Sequence, residues 1–372
     1  MKKAIITLVF VFLVCSGWLF AAPRTPQRAL EIARTFVRSH VAMKHIDVKG
    51  LKLINGESIQ TRTVAYPAYY IVNTGNDDGF IIISGDDCAR EILAYSDKRS
   101  LDYAHLPPNT KYWLDFYATE MERMNENDSF VKKTAEAQSL ATRAIPPVIA
   151  PLLDKIEWDQ GDPYNLDCPE ERGEKTVTGC AATALAMVMK YYEYPKQGIG
   201  SYSYTTATLK KTLSVNYAEA NYKWELMLPQ YTSTATEEQK KAVAELMLHC
   251  GVAMDMDYNL NAAGGSGAGI FTQYNALTKY FGYNPNMYFE GRDYNTEGRW
   301  KNMIQKELMA GRPILYSGQS SGGGHAFVLD GCDEKDMYHF NWGWSGYANG
   351  YYSLSALDPG AGGTGSGSGA YN

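Results

Sequence analysis

Residues 176–192 read Thr-Val-Thr-Gly-Cys-Ala-Ala-Thr-Ala-Leu-Ala-Met-Val-Met-Lys-Tyr-Tyr. A strand-like Thr-Val-Thr passes through a glycine to a cysteine, and small and apolar residues then follow at helical spacing. The stretch therefore predicts a helix that opens at Gly179–Cys180, with a thiol in its first turn. A thiol attacks as thiolate, and the positive end of a helix stabilises that anion. Ala181, Ala182 and Ala184 leave the backbone room for a substrate to approach. The position alone fits a nucleophile and a buried core cysteine equally, so the rest of the chain must decide. Cys250 is the comparison: it ends the amphipathic run Glu245–Cys250, where packing is the default role.

The patterns around this helix set the fold class. A second helix is predicted over 237–250, a third over 270–281 and a fourth over 300–310. Strand patterns follow at 313–317, 325–329, 337–342 and 350–354. Helices first and antiparallel strands afterwards predict an α+β fold of two packed layers for residues 145–372. Upstream, Ala29, Ile32, Ala33, Phe36 and Val37 fall on one face of a helix over 26–40. Strand-like runs at 51–54, 68–72 and 79–83 come next, with 73–79 as a hairpin loop, then a helix over 111–124. Residues 125–143 turn polar, as an exposed linker does. This gives a small α+β domain at 22–144. Residues 1–21 combine a short basic start, an apolar run from Ala4 to Val14 and small residues at Ala21–Ala22, which is a secretory signal peptide. Cys15 follows the bulky Val14, which does not suit lipid attachment. No other stretch resembles a membrane span, and no internal repeat is present.

A formal net charge of −6 over 372 residues, without basic blocks, argues against nucleic acid or an anionic membrane as the main partner. Beyond the signal peptide remain Cys88, Cys168, Cys180, Cys250 and Cys332. An odd number in a secreted chain leaves at least one thiol unpaired, unless chains pair with each other. No C-x-x-C pattern or cysteine–histidine spacing suggests a structural metal, and no cofactor motif is present. The glycine-rich run 262–269 lacks both nucleotide-binding fingerprints and reads as a flexible rim.

A nucleophilic cysteine needs a base. His249 lies late in a helix and reads as a surface or capping residue. His339 alternates within a strand over 337–342. His325 follows Gly322-Gly323-Gly324 and precedes the apolar strand Ala326–Leu329, so it projects into a cleft where backbone passes close by. It is the candidate base. Asn341, in Asn341-Trp342-Gly343-Trp344, lies on the next strand pattern and offers an amide to orient the imidazole, with tryptophans to exclude water. Gln160, twenty residues before Cys180, offers an amide to an oxyanion, with the Cys180 N–H as second donor.

At these residues the chain resembles the streptopain-like cysteine peptidases of bacteria, a branch of the papain-like group. The resemblance rests on Asp159–Asn165, Thr178–Ala184, Met189–Pro195, Met254–Tyr258, Gly323–Gly331 and Asn341–Trp344, and upstream on Ile83–Asp86 and Glu91–Ser96. It runs in order from about residue 65 to 372. It implies a papain-like catalytic domain behind an inhibitory pro-domain, and an endopeptidase secreted as a zymogen. Its substrates would be proteins or peptides, and its own pro-domain an intramolecular inhibitor. Cys180 would be the nucleophile, His325 the base and Gln160 part of the oxyanion hole. Trp344, Trp342, Gly324, the loop residues Gly265, Ser266 and Gly267, and the glycine-rich tail would line the cleft. The orienting group is either the Asn341 side chain or a neighbouring backbone carbonyl, because Trp342 follows Asn341 directly where papain-like enzymes have Ser-Trp. Family members continue beyond the glycine-rich tail, whereas this chain stops at Asn372. Neither a cofactor nor an oligomer is expected. The rival readings are a thiol acyltransferase or amidase on the same scaffold, and an inactive binding or inhibitor protein.

Overall fold

The computed structural model describes residues 23–54, 66–87, 89–125, 147–269, 271–320 and 323–355. The signal segment, most of the polar linker with its expected processing point, Cys88 and the glycine-rich tail lie outside these residues.

Helix α1 (Pro26–Ser39) is capped by the Thr25 hydroxyl, which accepts from the Arg28 amide, and Pro26 sits in its first turn. Its buried stripe of Ala29, Ile32, Ala33 and Val37 lies on one face of strands β1 (Lys52–Leu53), β2 (Tyr69–Asn73), β3 (Phe80–Ser84) and β4 (Ile92–Ser96). Helix α2 (Pro108–Asn125) packs on the other face. Strand β4 has no counterpart among the strands read from sequence. It is buried on both sides, with Leu93 and Ala94 facing the α2 cluster and Tyr95 the α1 cluster, so it shows no polar alternation.

The second part begins with a two-residue hairpin, β5 (Glu170–Glu171) and β6 (Glu174–Lys175), ahead of α3 (Cys180–Tyr192). Every residue of α3 from Ala181 to Met189 is buried, because its small apolar surface is wedged between α4 (Glu237–Ala253) and the sheet. A reciprocal capping box of Thr236 and Gln239 opens α4. The hairpin β7 (Ser201–Thr205) with β8 (Thr212–Asn216) is a further element that the sequence reading lacks. Where a regular helix is expected over 270–281, α5 (Thr272–Asn275) runs into a π-helical turn at Ala276–Tyr280. Helix α6 (Glu297–Met309) precedes β9 (Ile314–Ser320), β10 (Gly323–Cys332), β11 (Tyr338–Asn341) and β12 (Gly350–Tyr352).

The two parts share one sheet. Its order is β1-β2-β3-β4-β12-β11-β10-β9, antiparallel throughout, and the junction pairs Tyr351 with Tyr95 and Tyr352 with Ala94. Alternation along β10 sorts the two sides of this sheet. Ala326 and Val328 join the cluster around α3, whereas Phe327 and Leu329 join the cluster that α2 and α6 complete. At its centre Trp113 of α2 is 1% exposed and meets Phe340 edge-on at 5.0 Å and Phe327 at 6.0 Å. One indole thus fills a core to which both parts contribute. Trp113→Ala in a Cys180→Ala chain is expected to lower unfolding free energy by about 3–5 kcal/mol, read from urea denaturation; a change below ~1 kcal/mol would contradict the shared core.

Candidate active site

Gly179 has φ +88°, and a Cβ there would lie 2.7 Å from Met256 Sδ, so only glycine fits ahead of α3. The Thr178 and Thr183 hydroxyls bond at 2.8 Å, and the Thr183 amide donates to the Gly179 carbonyl at 3.1 Å. Together they fix the entry to the helix, and Cys180 is its first residue. The Cys180 Sγ accepts from the Ala326 N–H at 3.4 Å. Burial pushes the thiol pKa up, and the N–H groups of Ala326, Ala181 and Cys180 itself pull against that shift.

Several predicted residues converge on this turn. The Gln160 carbonyl accepts from the Thr178 amide at 3.1 Å. Its side chain is buried and makes no hydrogen bond among the described residues. The Asp159 carboxylate accepts from the amides of Gln160 (2.6 Å) and Gly161 (3.1 Å) and from the Ser345 hydroxyl (2.7 Å). That brings the turn bearing Trp344 beside Gln160; the Trp344 indole N–H is buried without a partner among the described residues. From the other side, the Ser266 hydroxyl donates to the Val177 carbonyl at 2.6 Å, and Gly267 exchanges two backbone bonds with Asp257. A Cβ on Gly265 would lie 3.7 Å from Val177 Cγ2. The loop of Gly265, Ser266 and Gly267 therefore flanks the segment that leads into Cys180. Gly324 stands on β10 opposite Gln319, next to His325.

His325 lies on the strand that touches Cys180, but its ring is engaged elsewhere. The Ala326 side chain joins the cluster around α3, so by alternation His325 points to the other side of the sheet, where its ring packs on Tyr112 of α2 at 4.7 Å. Among the described residues it makes no hydrogen bond to Cys180 or Asn341. Burial pushes its pKa down to about 4, so the imidazole is neutral at pH 7. The Asn341 amide donates to the Ile156 carbonyl (2.7 Å) and accepts from the Gly343 amide (3.2 Å). The Trp342 ring is not a cleft surface here. It is 1% exposed, packed on Phe327 and Tyr352, and its N–H bonds to the Ala348 carbonyl. Its own carbonyl accepts from the Asn109 side-chain amide of α2 at 2.8 Å. Asn109 and Tyr112, one helical turn apart, are thus site residues that the sequence reading lacks. No local pattern marks them, since only the tertiary fold carries α2 to the cleft.

The other candidate bases are occupied. His249 is half-buried rather than fully exposed: its ring bonds to the Tyr222 hydroxyl at 2.9 Å, and burial pushes its pKa down to about 4. His339 bonds through Nδ1 to Asp330 at 2.6 Å in the interior. Cys168, Cys250 and Cys332 are buried and unpaired among the described residues, and burial pushes Cys168 and Cys332 to about 12. Cys180 alone among the four described cysteines retains surface.

The chain is similar to known proteins along its whole length. Residues 158–352 match the model of the Peptidase C10 family, and residues 21–121 match that of the Spi protease inhibitor. The chain is 34% identical to Streptopain of Streptococcus pyogenes over 402 residues, covering 100% of this chain and 97% of the relative. It is 33% identical to Thiol protease/hemagglutinin PrtT of Porphyromonas gingivalis, covering 43% of that longer protein. Among solved structures, a prointerpain A fragment of Prevotella intermedia superposes with TM-score 0.67 at 31% identity, over 83% of this chain and 93% of the other. The active wild-type interpain A cysteine protease gives 0.53 at 35% identity, over 57% of this chain and 91% of that one.

The raised thiol and neutral imidazole have a measurable consequence. In the unprocessed chain Cys180 is expected to react slowly with iodoacetamide at pH 6–7. The rate should climb only as pH passes the usual thiol range near about 8.5. Mass mapping of the labelled cysteine checks this, and rapid labelling of the unprocessed chain at pH 6 would contradict it.

Proposed function

The chain belongs to the peptidase C10 family and is a cysteine-type peptidase with a pro-domain-like N-terminal part; from that premise we propose that it is a secreted endopeptidase, held latent by residues 22–144, in which Cys180 is the nucleophile and His325 the base. The observation that carries this reading is the pair of contacts made by the start of α2. Tyr112 covers the His325 ring and Asn109 occupies the Trp342 carbonyl.

Cleavage in the linker near Arg143 to Pro146 releases α2. The His325 ring then turns towards Cys180, and the Trp342 carbonyl becomes available to accept from the imidazole Nδ1–H. This is the neighbouring-carbonyl alternative for the orienting group. The Asn341 amide, held by Ile156 and Gly343, fixes the turn that presents that carbonyl. A thiolate–imidazolium pair replaces the neutral pair, because each charge stabilises the other.

The thiolate then attacks the scissile carbonyl. A C–S bond forms, and the carbonyl π electrons move to oxygen, where the Cys180 N–H and the Gln160 amide donate. The imidazolium gives its proton to the leaving nitrogen as the C–N bond breaks, leaving a thioester. Water, deprotonated by His325, attacks that thioester; the C–S bond breaks and the thiolate is restored. The Gly265–Gly267 loop and Trp344 flank the peptide.

Cys180→Ala and His325→Ala are each expected to lower casein hydrolysis by more than roughly 10³-fold and to stop self-processing, with unchanged near-UV circular dichroism. His249→Gln is expected to retain hydrolysis, and if it alone were inactive the base would be misassigned. Tyr112→Ala is expected to hasten the onset of processing. Full activity while residues 22–144 remain attached would refute latency. Activity of the processed form is expected to persist below neutral pH, checked by the pH profile of kcat/KM.

A further inference from the structure

Helix α1 ends on His40, whose N–H bonds to the Phe36 carbonyl at 2.8 Å. The imidazole stacks on Phe36 at 4.7 Å, meets Tyr95 at a tilt at 4.6 Å, and is 3% exposed. Neither of its nitrogens makes a hydrogen bond among the described residues. A buried ring nitrogen without a partner is destabilising, so this position calls for an explanation.

Nε2 faces two carboxylates from the turn between β10 and β11, in the other half of the chain. It lies 3.4 Å from Asp333 Oδ2 and 3.8 Å from Glu334 Oε1. The three ligand atoms lie within 4.8 Å of one another. A charge-assisted N–H···O bond would close to about 2.7–2.9 Å. Ligands around a tetrahedral zinc, at about 2.0–2.2 Å from the ion, stand roughly 3.4 Å apart. The His40–Asp333 separation equals the second value, and the His40–Glu334 separation is close to it.

Asp333 is also held as metal ligands are. Its Oδ1 accepts from the Lys335 (2.8 Å) and Met337 (2.9 Å) amides, and its Oδ2 from the Tyr95 hydroxyl at 2.6 Å. We propose that His40, Asp333 and Glu334 bind one zinc ion, with the partly exposed Glu334 side open to a water as fourth ligand. One imidazole and two carboxylates suit zinc, whereas calcium and magnesium take oxygen ligands. The ion joins the end of α1 to the β10–β11 turn, and so fastens the N-terminal part to the catalytic part at a point remote from Cys180. No sequence spacing announces the site, because its ligands come from the two ends of the chain.

The test uses the full-length Cys180→Ala chain, which removes the nucleophilic thiol as a competing ligand and stops self-processing. The outcome therefore does not depend on the peptidase reading. Metal-free protein is dialysed against zinc chloride and assayed by elemental analysis and by competition with a chromophoric chelator. The expected result is one zinc per chain and a raised thermal midpoint that EDTA reverses. Adding His40→Phe keeps a ring against Phe36 and Tyr95 while removing the nitrogens, and should abolish that equivalent. Adding Glu334→Gln should weaken binding at least roughly tenfold. No bound zinc in the Cys180→Ala chain, or undiminished binding in a folded His40→Phe variant, would overturn the proposal.

Discussion

Two residue pairs, Tyr351 with Tyr95 and Tyr352 with Ala94, make one sheet out of what would otherwise be two. Everything else about the relation of the two parts follows from that ladder. It sets α2 against β10 and β11, because the helix that covers β2–β4 must also cover the strands continuing beyond β12. It commits Trp113 to a core built jointly with Phe327, Phe340 and Trp342. It also aims the first turn of α2 at the His325 ring. Edge hydrogen bonds reinforce the seam: the Tyr117 hydroxyl donates to the Ser353 carbonyl at 2.6 Å, and Arg99 to the Ser345 carbonyl at 2.7 Å.

The site uses this geometry economically. Asn109 and Tyr112 stand one turn apart on α2, so a single rigid element holds both the Trp342 carbonyl and the His325 ring. The thiol half of the machinery does not wait on that helix. Gly179, the two threonines around it and the Ser266 bridge hold Cys180 at the start of α3, and none of those bonds involves α2.

An apolar stripe made α1 legible from sequence, and the all-apolar run after Cys180 did the same for α3, while α2, α4 and α6 lie within three residues of their expected bounds. Strand β4 escaped because burial on both faces erases alternation, and the β7–β8 hairpin because its Ser-Tyr-Ser-Tyr-Thr strand is mostly exposed and carries few aliphatic residues. Cys180, Gln160 and the Gly265–Gly267 loop were legible because each lies in a local segment with its own chemistry, and the fold gathers those segments together. Where His325 points was not legible, since it is decided by Tyr112 more than two hundred residues upstream in an apparently ordinary helix. Trp342 and His249 were misjudged for a related reason. A side chain's type tells what it is able to do, and only its neighbours tell whether it is wrapped in aromatic rings or bonded to a tyrosine hydroxyl.

The junction at β12 also governs what remains when the two parts separate. Loss of β4 would leave a four-stranded remnant, β12-β11-β10-β9, among the described strands, with β12 as its new margin. Backbone groups that had bonded to Tyr95 and Ala94 would then face water or another chain. Such margins template unwanted pairing when they are long and flat. This one spans only Gly350–Tyr352 and begins with a glycine, so it offers an incoming strand a foothold of three residues.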